Sequence, residues 1–191
     1  MADLDILDVR LGPPARAETR GVLNLEEGEE PTFIEITIAV RNNTSRSLYA
    51  VSSIRRIEYD ANSRTLRLSL KEPAPEEDPE FIVSRPVILP KFALVPAGAT
   101  ENIQISVPQV INRIISFAPT EQGELAYEAI DISDVQQVEC AVAYSDTPFE
   151  PEQEARPHDI LAQLSSWGEE TRIAIQPKRR GQGSNRQRRR S

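Results

Sequence analysis

The sequence predicts an antiparallel β-sandwich, and three observations carry that expectation. Apolar residues recur at every second position in several segments, most regularly at Ile34, Ile36, Ile38 and Val40. That is the spacing of a strand with one buried face. The segments are short and separated by clusters of Pro, Gly, Asn, Asp and Ser, which suggests eight or nine strands in all. Helical spacing occurs in one place, near the C-terminus of the 191-residue chain.

Taken in order, "LDILDVRL" places Leu4, Ile6 (or Leu7), Val9 and Leu11 in near alternation and reads as a first strand. Residues 12–31, rich in Pro, Gly and Glu, are expected to form a loop. "TFIEITIAV" follows as a strand with Glu35 and Thr37 opposite its isoleucines, and "RNNTSRS" turns the chain, because Asn and Ser side chains bond their own backbone. Leu48 to Tyr59 resumes as strand with a break near Ser52 and Ser53. In "YDANSRTLRLSL", Asp60 to Ser63 read as a hairpin turn and Leu66, Leu68 and Leu70 as the inward face of the returning strand.

Residues 71–80, "KEPAPEEDPE", are a solvated loop by composition. Extended pieces at Phe81–Val83 and Val87–Leu89 flank Pro86, which suits a sheet edge. In "LVPAGATENIQISVP", Pro96 is expected at the second position of a type I turn and Gly98 at its fourth. Ile103, Ile105 and Val107 then alternate with Asn102, Gln104 and Ser106 as a strand. "VINRIISF" fits either a short helix or a strand, whereas "VQQVECAVAY" sets Val138, Cys140, Val142 and Tyr144 on one strand face. "HDILAQLSSW" is the helix, with Ile160, Leu161, Leu164 and Trp167 at spacings of three and four, His158 or Asp159 as its cap and Gly168 as its stop. "TRIAI" ends the series as a last strand.

The segments "VRNNTSRSLYAV" and "LVPAGATENIQISVP" give the chain a resemblance to immunoglobulin-like and fibronectin-like β-sandwiches, over roughly residues 32–145. It looks like that superfamily in its asparagine-rich turn after an early strand and in its Pro-x-Gly-x-Thr turn before a strand ending in Val-Pro. The paired cysteines and core tryptophan of antibody domains are missing, and Trp167 lies outside the matching region. The resemblance implies an architecture and assigns no functional residue.

Charge divides the chain in two. Residues 177–191 hold Lys178, Arg179, Arg180, Arg186, Arg188, Arg189 and Arg190 and no acid. Seven of the 22 basic residues thus sit in the tail, which leaves residues 1–176 with 15 bases against 30 acids, net −15, inside an overall charge of −8. We expect a β-sandwich domain over 1–176 and a disordered Arg-rich tail over 177–191. One cysteine excludes an intramolecular disulfide, the acidic N-terminus lacks the pattern of a secretory signal, and no window is apolar enough to span a membrane. Together these features point to the cytoplasm.

Chemistry is sparse. Cys140 is the sole cysteine and His158 the sole histidine, so a zinc site is not expected, and Cys140 falls on an apolar strand face where a thiol is inert. Acidic clusters at Glu76, Glu77, Asp78 and Glu80, and at Asp146, Glu150, Glu152, Glu154 and Asp159, lack the spacing of a calcium loop and read as solvated loops. No cofactor is expected. Trp167 is expected to pack with Ile160, Leu161 and Leu164 onto the sandwich, with the role of candidate partner anchor as the alternative. The seven tail cations are candidate contacts to nucleic acid, to an anionic surface or to an acidic protein surface, the bland alternative being a solubilising terminus. The expectation for function is a non-enzymatic binding or scaffolding module that contacts another protein or associates with itself. The alternative is a nucleic-acid-associated protein using its tail.

Overall fold

The computed structural model describes residues 2–16, 32–73, 89–116, 126–150 and 157–175. The expected tail, the strand pieces at 81–83 and 87–88, and most of the loops at 12–31 and 71–80 lie outside these residues.

Alternation in the sequence becomes burial wherever a strand has one wet face. In β2 (Thr32–Asn42), Ile34, Ile36, Ile38 and Val40 are buried while Glu35 and Arg41 are exposed. β7 (Thr100–Pro108) behaves in the same way, with Ile103, Ile105 and Val107 inside. Each such side chain removed from water contributes about 1.5–3 kcal/mol. β2 pairs antiparallel with β1 (Leu4–Arg16) on one side and with β7 on the other, forming a three-stranded sheet in the order β1-β2-β7.

The slipped alternation of the first strand has a structural cause. The β1–β2 register shifts between Ile6 and Asp8, so Leu7 is the extra residue of a bulge and is 40% exposed. Leu4 and Ile6 point inward before the bulge and Val9 after it. A second shift between Leu11 and Pro14 lets the strand run to Arg16, into the segment expected to be loop.

The second sheet contains β3 (Leu48–Val51), β4 (Arg56–Asp60), β5 (Thr65–Ser69), β6 (Phe92–Val95), β10 (Gln137–Ser145) and β11 (Gly168–Ile175). Its order is β4-β5-β10-β3-β6, and β11 pairs with the other side of β10. Here the expectation of a purely antiparallel arrangement is corrected, because β5 and β10 run parallel from Thr65↔Gln137 to Ser69↔Ala141. β3 pairs with the far end of β10, at Tyr144 and Ser145, so β3 and β5 lie end to end along one edge of it. Leu66, Leu68, Val138, Cys140 and Val142 from this sheet join the isoleucines of β2 and β7 in one hydrophobic cluster.

A hairpin of β8 (Val110–Ser116) and β9 (Ala126–Asp131) stands as a separate two-stranded sheet. "VINRIIS" is therefore strand, and "AYEAID", which carries no turn signal or alternation of note, is its partner. The described strands number eleven, against the eight or nine expected.

Three local expectations need correction. The 96–99 turn is closed by Ala99 N donating to Pro96 O (3.0 Å), so Pro96 is its first residue and Gly98 its third. Gly98 has φ +69°, the positive value that a type II turn requires at that position, in place of the expected type I geometry. Helix α1 (Pro157–Ser165) begins with proline, so His158 and Asp159 sit inside its first turn and do not cap it. Gly168 opens β11 opposite Tyr144, where an added Cβ would come within 3.1 Å of the phenol ring. A side chain there would press on the Tyr144 ring, which would have to give by a few tenths of an ångström.

Candidate interaction surface

The expected site residues fall in two groups. Lys178, Arg179, Arg180, Arg186, Arg188, Arg189 and Arg190 lie outside the described residues. Trp167 follows α1 and is 8% exposed, tilted at 43° against Phe92 with ring centroids 5.2 Å apart and meeting Phe149 edge-on at 6.5 Å, with Phe92 and Phe149 themselves 5.8 Å apart. Cys140 is fully buried, and burial pushes its thiol up to about 12. Among the described residues no three His, Cys, Asp or Glu side chains converge in a way that could hold a metal ion. No helix among them is long and apolar enough to cross a membrane.

Concave regions among the described residues include the following two. A cleft of about 460 Å³ lies where the 42–46 turn, the end of β10 and the end of α1 meet, lined by Asp3, Arg46, Asp146, Thr147, Gln163 and Trp167. Arg46 and Asp146 bridge it at 2.7 Å with both side chains well solvated, so the pair contributes little energy and the wall is polar. A second depression of about 210 Å³ sits over β4, β5 and β10, where Arg56 pairs with Glu58 (2.5 Å) and Arg67 with Glu139 (3.1 Å). The first pair lies within β4 and the second bridges β5 and β10, so these charges satisfy one another, the arrangement of a solvated sheet face.

The sheet edges differ more sharply. β4 carries Arg56, Glu58 and Asp60 in five residues, a charged edge that resists pairing. β6 has four residues. β1 is bent by two register shifts, and Arg172 Nη1 of β11 donates to its Ile6 carbonyl at 2.6 Å. β7 has none of these devices. It runs nine residues with no register shift against β2, carries one charge, Glu101, and has no strand on its other side among the described residues.

Two backbone bonds fix which of its groups face outward. Gln109 N donates to Thr32 O (2.8 Å), and Asn42 N donates to Ala99 O (3.0 Å). Residues 99 and 109 thus form hydrogen-bonded pairs with β2, and with an unbroken register so do 101, 103, 105 and 107. The even-numbered residues Thr100, Asn102, Gln104 and Ser106 therefore turn both N–H and C=O to the open side. Their side chains lie on the outer face of the sheet, where Ser106 Oγ donates to Glu35 of β2. Alternation identified Asn102, Gln104 and Ser106 as the wet face of a strand; Thr100 joins them in the structure. Their place at an edge depends on pairing partners distant in sequence, for which no local signal exists.

Comparisons with models of known protein families, with curated proteins and with solved structures each return no match.

Proposed function

We propose that this protein is a non-enzymatic, cytoplasmic binding or scaffolding module with an immunoglobulin-like sandwich architecture, working through protein–protein contacts at the β7 edge. The observation that carries the reading is the nine-residue, nearly uncharged edge whose Thr100, Asn102, Gln104 and Ser106 backbone groups face outward. An extended segment laid along it gains main-chain hydrogen bonds without rearrangement of the fold. Gln104→Pro tests this directly, because it removes an outward N–H and leaves the ladder to β2 intact. Retention of a partner from the native host should fall at least tenfold in the variant while its thermal midpoint stays near wild type. Equal retention would refute the edge as the contact.

A second reading is favoured by the charge split of the sequence, in which the tail acts as an arm for nucleic acid. Seven phosphate contacts would give a log–log salt slope of about −6 on duplex DNA. Deleting residues 178–191 should then abolish retention of RNA or DNA at low salt, and unchanged retention would dispose of the idea.

A further inference from the structure

We propose that the β7 edge pairs with a second copy of itself, antiparallel about a twofold axis through Gln104; this rests on the reading of that edge as the contact surface. The strand is self-complementary in the ways such an axis demands. Gln104 is the midpoint of Thr100–Pro108, so this register overlaps all nine residues. Antiparallel pairing requires outward-facing residues to meet outward-facing residues. About this axis Asn102 meets Ser106 of the second copy, Gln104 meets its own counterpart, and Thr100 N–H meets the Pro108 carbonyl. Pro108, which has no N–H to offer, falls at the end of the ladder, where its carbonyl suffices. Ile103 and Ile105 face each other across the join on the buried side, so the two cores become contiguous.

Charge is compatible with this register. Each body carries net −15, which opposes association, yet the edge contributes only Glu101. In this register Glu101 lies opposite Val107 of the second copy. The two Glu101 residues are then six strand positions apart, about 20 Å, beyond the Debye length of about 8 Å. The product is a continuous six-stranded sheet, β1-β2-β7 joined to its copy, in a closed pair that leaves no further edge of this kind exposed among the described residues. Because the bodies repel, the pair should tighten as salt rises. Association between a basic tail and an acidic body would weaken instead.

The test uses the full chain in sedimentation velocity at low and high salt, with Gln104→Lys, Gln104→Glu and their equimolar mixture. Wild type should sediment at twice the mass of one chain, more completely at high salt. Each variant places like charges face to face at the axis and should sediment as one chain, and the mixture should regain the doubled mass. A single-chain wild type at about 100 µM overturns the pairing, as do variants that remain paired or a mixture that fails to recover. If wild type is a single chain but host-partner retention is lost in Gln104→Lys, the self-pairing falls and the edge reading stands. If retention is also unchanged, both fall.

Discussion

The side-chain amide of Asn42 donates a hydrogen bond to the carbonyl of Val95 at 2.9 Å, across 53 residues of sequence. The same nitrogen reaches the Arg46 carbonyl at 2.6 Å, and its oxygen accepts from Thr44 N and Thr44 Oγ1, both at 2.8 Å. Asn42 is fully buried, so one side chain holds the β2–β3 turn closed and fastens it to the end of β6.

Replacing Asn42 by Ala should therefore cost about 2–4 kcal/mol, since a buried polar group stripped of its partner costs about 1–3 kcal/mol and several are stripped together. Asn42→Asp keeps the acceptor, loses the donor and faces carbonyl oxygens, so at neutral pH it should be no better than Ala. Urea unfolding of the two variants measures both; a loss below about 0.5 kcal/mol in each would show that the contacts are dispensable.

Trp167→Ala removes the largest ring of the Phe92–Phe149–Trp167 cluster and should cost about 3–5 kcal/mol. Trp167→Phe should lose much less. Partner retention measured on that folded variant isolates any part the indole plays in binding, because stability is then nearly matched.

Cys140 should not react with a disulfide reagent in the native state, since the thiol is fully buried and burial holds it protonated up to about 12. Labelling should appear only as denaturant unfolds the chain, with the same midpoint as the spectroscopic transition. Cys140→Ser should cost about 1–3 kcal/mol by burying a hydroxyl without a partner.

At high pH the relevant group is Tyr59. Burial first, and then its hydrogen bond to Asp134, raise the phenol from 10.0 to about 12. A folded value above the unfolded one means a contribution present below pH 10 and lost as pH climbs towards 12. Tyr59→Phe should flatten that limb of a stability profile, leaving the parts due to Cys140 and Tyr144, which burial also raises.

At low pH the sign reverses. The Arg10 guanidinium lowers Asp8, the Ser63 hydroxyl lowers Asp60, and the Ser133 amide lowers Asp131, each from 3.8. Their contribution is present above pH 3.8 and disappears as pH falls through the lowered values, so unfolding midpoints should drop below about pH 4. A midpoint constant down to pH 2 would refute the assignment.

How much of this was legible depends on how local the cause is. The alternation of β2, β5, β7 and β10 is written residue by residue, because a strand with one wet face imposes period two on its own sequence. The bulge at Leu7 left a trace as a slipped alternation that no local rule could assign to Ile6 or Leu7. β9 left none, since its six residues mix Ala, Glu and Asp with two larger apolar groups, Tyr127 and Ile130. The parallel partnership of β5 with β10, the reach of Asn42 to Val95 and the open side of β7 are relations between segments far apart. "RNNTSRS" announces a turn and says nothing of Val95. The tail's charge was plain from composition, and it remains a statement about composition.

The parallel pairing also orders events in time. β5 is made early and hairpins with β4 at once, but its other edge waits for β10, with Arg67 and Glu139 separated by 72 positions. Parallel, long-range pairing closes slowly because the loop entropy must be overcome before any contact forms. During synthesis, then, the outer edge of β5 remains unpaired until residue 141 has emerged, and β4, with Arg56, Glu58 and Asp60, gives the other side of that nascent hairpin a charged edge.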